Sequence, residues 1–349
     1  MSAQLDVVAV GARTPVGLTA ASSAAAVRAG ISRYAEYPFI DVRGQRLVVA
    51  ADALLDTRLE GRDRIKPMVE SVLNELELQL GDRVLRESRL RVLLSLPEAR
   101  PGFLESDAAW IVEAIETRWH EKNSRASVRL VGRGHAGAIL ALEQASQECA
   151  RHSDAVCLVV GAESYHHPST FIWLERERRF AQPGIRSGFT PGEGAGGLAL
   201  VSPGLRRRLG LPSLAIVRGV RTAQETQLRT SETGSFGEGM TQAVLGTLAG
   251  LKLPQEAVDT VYADLNGERY RSEEWAFTML RAPTAWKTPG YRAPSDCWGD
   301  VGAAFGTLAA ILAVRAFARG YAQGPRALVI AGSDSGLRGA MLLQPPSTA

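Results

Sequence analysis

The sequence predicts an α/β protein with largely covered sheets, built from two similar halves. Three observations carry that expectation. Short strand-like runs alternate with helical ones along 349 residues. Most of those runs are apolar throughout, as strands covered on both faces are. And one order of elements occurs twice.

Taken in order, the strand-like runs are "LDVVAVGA", "RVLLSL", "AVCLVVGA" and "GLALVS", then "LAIVRGV", "TVYADL", "ALVIAGSD" and "GAMLLQ". Helical segments are expected over 63–80, 106–120, 136–151, 239–251 and 302–319. In the first half a Gly/Ala-rich helix, "HAGAILALEQASQECA", leads to "CLVVGAES" and then to "GEGAGGLALVS". In the second, "GAAFGTLAAILAVRAFARGY" leads to "ALVIAGSDS" and then to "LRGAMLLQ". The expected division is 1–205 and 213–349, joined by a loop over 202–213 whose Ser, Pro and Gly are turn residues. The arginine triplet in that joint reads as solvated loop charge.

Composition narrows the function classes. A net charge of +3 is too weak to argue for nucleic acid or a membrane surface. The 40 basic residues include only four lysines, Lys66, Lys122, Lys252 and Lys287, which reads as coding bias. Three widely spaced cysteines, Cys149, Cys157 and Cys297, give neither a disulfide framework nor a zinc spacing, and they fit a reducing cytoplasm. The opening "MSAQLDVVAVGA" lacks a basic n-region and a long apolar core. The longest apolar run, Val301 to Val314, is too short for a bilayer and reads as a helix buried on all sides. A cytoplasmic protein without metal or cofactor is the expectation.

The stretch "GRGHAGAILAL", Gly132 to Leu142, has the shape of a catalytic turn. A glycine-rich bend presents one reactive side chain, His135, and small apolar residues then begin a buried helix. At a helix N-terminus the positive dipole end disfavours protonation, so a neutral imidazole is expected there.

Five motifs in sequence order resemble the thiolase superfamily, and within it the 3-oxoacyl-[acyl-carrier-protein] synthases. "VVAVGARTPVGLTAASSAAAVRAGIS" resembles their opening strand, Thr-Pro-x-Gly turn and first helix. "CLVVGAES" is similar to the strand ending in Gly-Gly-x-Glu. "RSGFTPGEGAGGLALVS", from Arg186, is close to the most specific of the family's motifs here. "GDVGAAFGTLAAILA" and "GSDSGLRGAMLL" are similar to the Gly-His-x-x-Gly-Ala-Ala-Gly segment and the terminal Gly-Phe-Gly-Gly strand. The resemblance implies a thiolase-like five-layer α-β-α-β-α architecture of two pseudo-repeated halves, normally dimeric. It is thin over 30–125 and 214–260.

The same resemblance implies chemistry that these residues do not supply. The synthases place a cysteine at the start of a buried helix, where the dipole lowers its pKa and backbone amides hold an oxyanion. Counting back from "GAES" puts that slot on His135, flanked by Gly134 and Ala136. The second half of a synthase adds two histidines, or a histidine and an asparagine. Here all five histidines, His120, His135, His152, His166 and His167, lie in the first half. Asn266 stands where the first would sit and Asp300 where the second would. Asp300 would repel an enolate unless held protonated. Cys297, two residues before Gly299, is the one thiol near the inherited pocket in sequence.

Beside these, His167 and Gly336 are expected near a ligand, and Glu193, Gly194 and Gly196 to be structural. The leading functional expectation is a synthase-like protein without condensing activity, acting as a dimeric binding or assembly subunit. It would resemble a polyketide chain-length factor or an accessory of secretion effectors. Its partners would be a second copy or another thiolase-fold chain, with an acyl carrier protein or a CoA thioester as further candidates. Acyl transfer or hydrolysis of thioesters through His135, Asn266 or Cys297 is the enzymatic alternative, and a non-catalytic acyl or CoA binder is the third.

Overall fold

The computed structural model describes residues 4–41, 43–232 and 234–346. The outer ends of the two expected halves, 1–3 and 347–349, lie outside the described residues. The first half runs β1 (Leu5–Arg13), α1 (Ala20–Arg28), β2 (Tyr34–Ile40), β3 (Arg46–Ala50), α2 (Arg62–Leu80), α3 (Asp82–Glu87), β4 (Arg89–Leu96), α4 (Glu105–His120), β5 (Ser127–Arg133), α5 (Gly137–Arg151), β6 (Ala155–Ser164), α6 (Pro168–Arg176) and β7 (Glu193–Val201). There follow α7 (Pro203–Leu209), β8 (Ala215–Gln224), α8 (Glu238–Leu248), β9 (Thr260–Ala263), α9 (Arg269–Arg281), α10 (Ser295–Trp298), α11 (Phe305–Ala318), β10 (Ala327–Gly332) and β11 (Leu337–Gln344).

Strand order repeats. Outward from the centre the first set reads β1-β7-β6-β4-β5 and the second β8-β11-β10-β9. In both, the two strands nearest the centre and the next pair are antiparallel, and the outer ones are parallel. A fifth position in the second set is marked by two isolated parallel bridges, Val258 to Trp286 and Tyr262 to Arg292. The sets join where β1 pairs antiparallel with β8, Leu5 to Val7 against Ala215 to Val217, making one nine-stranded sheet.

Hydrophobic period decides which layer each helix enters. Along α2, Ile65, Met68, Val69, Val72, Leu73, Leu76 and Leu80 recur at three- and four-residue steps and are buried on β1, β6 and β7. α11 is apolar all round, buried from Phe305 through Val314, and sits with α5 between the two strand sets. α2 and α4 cover one outer face, while α8 and α9 cover the other. The result is the five-layer α-β-α-β-α thiolase-like arrangement that the sequence predicts. Among the described residues no helix is long and apolar enough to cross a membrane.

Two expectations are corrected. The joint over 202–213 is not a loop. It carries α7, N-capped by Ser202, whose hydroxyl accepts from the Leu205 amide at 3.2 Å, and closed by Gly210 in the left-handed region at φ 67°. Residues that read as turn formers are here the two caps of a short helix. Arg206 within it is half-buried on Asp6 at 3.1 Å, so only Arg207 and Arg208 are solvated. The cysteines are also less dispersed than their spacing implies. Cys149 and Cys157 are free, buried thiols with sulfurs 3.8 Å apart.

A buried ion pair ties α2 to the sheet. Arg64 grips Glu193 at 2.5 and 2.8 Å, and both side chains are fully buried. His166 Nδ1 lies 2.7 Å from Glu193, the Ser164 hydroxyl donates to it at 2.9 Å, and the Asp52 amide donates at 2.7 Å. Burial alone would push this carboxyl up; the charges and hydrogen bonds of His166 and Arg64 outweigh burial and hold it down at about 2. Because the folded value lies below the ordinary 4.5, the pair's stabilisation is present above pH 4.5 and is lost as pH falls through about 2. Glu193→Gln strands Arg64 and should cost about 3–5 kcal/mol at neutral pH. It should also flatten the acid limb of the stability curve, measured by urea melts between pH 6 and 3.

Candidate functional site

The site forms where the turn into α5 meets the second strand set. β5 ends at Arg133; Gly134 takes φ 65°, and Ala136 caps α5, leaving His135 on the bend. A Cβ at Gly132 would stand 2.1 Å from the Gly137 carbonyl oxygen, so glycine permits this turn to fold on itself. Ser333, just past β10, holds the bend from across the molecule. Its hydroxyl accepts from the Ala136 amide at 3.0 Å and donates to the Arg133 carbonyl at 2.9 Å.

At the centre sits Asp300. His135 Nε2 lies 3.0 Å from both carboxylate oxygens. The Tyr165 hydroxyl donates to Oδ1 at 3.0 Å and the Gly302 amide donates to it at 2.8 Å. The Asn266 side-chain amide donates to Oδ2. Burial by itself would raise this carboxyl, but His135, Arg271 and Asn266 reverse that and hold it well below the usual carboxylate range. It is an ion.

A second ring of charge surrounds this one. Arg271 comes from α9, with its guanidinium 3.3 Å from both ring nitrogens of His135. It is itself held by Asp264, by Glu268 at 3.3 Å, and by the Gly332 carbonyl at 2.7 Å. Arg179 bridges Glu268 and Asp334, and Arg100 pairs with Glu163 at 2.5 Å. A cavity of about 310 Å³ opens above His135, between these pairs, with Glu98, Arg229 and Trp173 at its rim.

The His135 pKa is raised and not lowered, opposite to the sequence expectation. Burial and the Arg271 charge both lower its pKa. The Asp300 charge and hydrogen bond, with Asp264 behind them, outweigh both and raise it above the ordinary 6.5. The helix dipole argument was local, and a carboxylate 165 positions away prevails over it. Asp300, in turn, is ionised and not held protonated.

Other placements differ as well. The structure brings His135, Asn266 and Asp300 together but leaves Cys297 outside. Cys297 lies on α10, half-turned into a separate cavity with Tyr262, Leu312 and Tyr321, and burial followed by Asp296 pushes its thiol up. His167 is away from the cavity too: its ring caps α6, accepting from the Ser169 amide at 3.1 Å, and Glu60 lies 3.9 Å away. Gly336 is not among the residues that line this cavity. It takes φ 96° in the β10–β11 turn, packed on Gln224 and Glu225, and its neighbours Asp334 and Ser335 line the cavity instead. Added Cβ atoms at Gly194 and Gly196 would meet Arg13 and Thr307 at 3.0 and 2.8 Å, so both mark close backbone packing. Among the described residues no His, Cys, Asp and Glu cluster is placed to hold a metal.

Sequence reasoning missed Arg271, Tyr165, Arg100, Glu163, Arg179 and Asp334. Some signal existed. Tyr165 follows "GAES" directly, Asp334 lies inside the quoted "GSDSG", and Arg271 stands three residues after Glu268 in the charged first turn of α9.

The arrangement is chemically closed. His135 and Asp300 are 6% and 4% exposed, and each spends its charge on the other. No thiol and no unpaired imidazole reaches the cavity from the described residues. Since the folded pKa of His135 is raised, its stabilisation is complete below pH 6.5 and is lost as pH rises through the folded value. Asp300→Asn removes the groups that raise it and leaves burial and Arg271 opposed only by Asp264. The His135 ring should then be neutral at pH 7, which ¹⁵N imidazole shifts report directly. A ring that stays protonated in this variant would contradict the account.

No protein-family model and no curated relative matches the sequence. Solved structures do match over 99% of the chain. A type II polyketide acyl carrier protein in complex with its ketosynthase is 13% identical, with a TM-score of 0.82 and 100% of that chain covered. The ishigamide ketosynthase/chain length factor is 15% identical, with a TM-score of 0.79 and 100% covered. A ketosynthase in complex with its chain length factor from Xenorhabdus doucetiae is 13% identical, with a TM-score of 0.77 and 98% covered. Together with the repeated strand order, these likenesses give the chain a ketosynthase-like fold.

Proposed function

We propose that this chain is a ketosynthase-like subunit without condensing activity that works by binding a thiolase-fold partner, in the manner of a chain-length factor. One observation carries the reading: His135 and Asn266, assigned to two of the three catalytic slots, both spend a hydrogen bond on Asp300, assigned to the third. Carbon–carbon condensation needs a thiolate to carry the acyl group and proton-handling donors to stabilise an enolate. A fixed carboxylate at the enolate position opposes that charge by about 1 kcal/mol or more even in a high dielectric.

The partner assignment rests on two supports. Similar structures include ketosynthase/chain-length-factor complexes and one with an acyl carrier protein. The outer strand β5 pairs only with β4, so its other edge presents unpaired backbone groups beside the half-buried Leu130 and Val131. An open edge of this kind is a template for a strand of another chain. A second copy or a related thiolase-fold subunit would continue the sheet there. An acyl carrier protein is the second partner of this proposal, and a cytoplasmic setting belongs to it. Thioester transfer or hydrolysis has less support, because Cys297 faces a different cavity with its thiol pKa raised.

Two measurements test the reading. Incubated with malonyl and acyl thioesters, the pure protein should release no carbon dioxide and gain no acyl mass. His135→Cys alone should behave the same, because Asp300 stays in place. Sedimentation should show a dimer at micromolar concentration, or a heterodimer with an intact synthase, and Val131→Asp should weaken it at least about tenfold. A 3-oxo product from the unmodified chain refutes the loss of condensation. A monomer that stays alone beside a synthase refutes the partner role.

A further inference from the structure

Away from the His135 cavity, two adjoining cavities of about 480 and 450 Å³ lie between α1, the outer end of α11 and the segment around Arg292. They share Ala24, Arg28 and Tyr321. We infer that they form one binding site for a phosphorylated organic anion, a di- or triphosphate carried on an apolar or aromatic body.

The charge argues for the phosphate part. Arg28, Arg315 and Arg319 line the first cavity and Arg28 and Arg292 the second. Among the described residues none of these four guanidiniums has a carboxylate within 4.0 Å; Arg28, Arg292 and Arg319 are exposed and Arg315 is half-buried, so all four stand open to a ligand. Asp296 is the one acid in the lining. Arg28 and Arg315 stand in the last turns of α1 and α11, where a cation complements the helix dipole. That accounts for one arginine per helix and leaves Arg292 and Arg319 without a partner. Four guanidinium forks around one depression match a polyanion, which accepts several bidentate donors at once.

The floor argues for the body. The second cavity carries an apolar strip of Val27, Tyr262, Leu312 and Pro294 beside Arg292 and Asp296, and is within the size range of small-molecule sites. The Arg28 guanidinium already lies 4.0 Å over the Tyr321 ring at the junction, so it is held between the two compartments. An inorganic ion would fill the first compartment and leave the second empty. The proposal does not depend on the fate of condensing chemistry, because none of its residues touches His135 or Asp300.

Calorimetric titration of the full chain with ADP, inorganic pyrophosphate and adenosine separates the two parts. ADP should bind saturably, pyrophosphate at least about tenfold more weakly, and adenosine not measurably. Arg28→Ala with Arg319→Ala should weaken ADP at least about tenfold, as should Ala25→Glu; all three positions are exposed, and melting curves check their folding. No saturable ADP binding at millimolar concentration overturns the site. ADP binding indifferent to these variants overturns its location, and pyrophosphate binding as tightly as ADP overturns the organic body.

Discussion

One buried carboxylate organises the centre of this molecule. Asp300 is 4% exposed, and an ion in that position costs several kcal/mol unless its charge and lone pairs are matched. Its matches arrive from separate parts of the chain: His135 from the bend before α5, Tyr165 after β6, Asn266 after β9, Gly302 ahead of α11, and Arg271 from α9. Two of these belong to the first strand set and three to the second. Satisfying one ion therefore fixes how the two sets meet beneath the His135 cavity.

The identities at 135 and 300 depend on each other. A thiolate at position 135, on a shorter side chain than the histidine whose Nε2 lies 3.0 Å from Asp300, would still face that carboxylate across a buried gap. Two anions so placed cannot both stay ionised, and the thiol pKa would climb. Imidazolium at 135 makes Asp300 favourable, and Asp300 makes imidazolium favourable against burial and Arg271. The exchange is electrostatic and reciprocal. Replacing His135 alone takes from the Asp300 carboxylate its imidazole partner, whereas replacing Asp300 alone lets the His135 ring lose its proton.

Much of the fold is legible in the sequence because burial is periodic. The step pattern in α2, the all-round apolar face of α11 and the unbroken apolar runs of β6 and β7 each specify one layer. β5 escapes that logic. Its "SVRLVGR" alternates imperfectly, since an outer strand has one open edge and half-exposed residues. The hairpin of β2 and β3 is mostly exposed and is hard to read for the same reason. Within the site, the glycine bend announces His135, but its protonation depends on Asp300 and Arg271, whose approach no local pattern encodes. Cys297 misleads in the opposite sense. It is two residues from Gly299, yet that glycine turns the chain at φ 71° and the thiol points into another cavity.

Polarity, more than shape, separates this cavity from an acyl tunnel. An acyl chain entering between Arg100–Glu163 and Arg179–Asp334 would strip water from two ion pairs and offer them no hydrogen bond in return. Desolvating even one imperfectly paired charge outweighs the roughly 0.8 kcal/mol that each buried methylene contributes. The same ion pairs accept a polar visitor easily, because a carboxylate or amide can exchange with one of the partners. The four side chains of these ion pairs, with Asp300 behind His135, thus give the cavity a charge pattern that opposes an apolar chain.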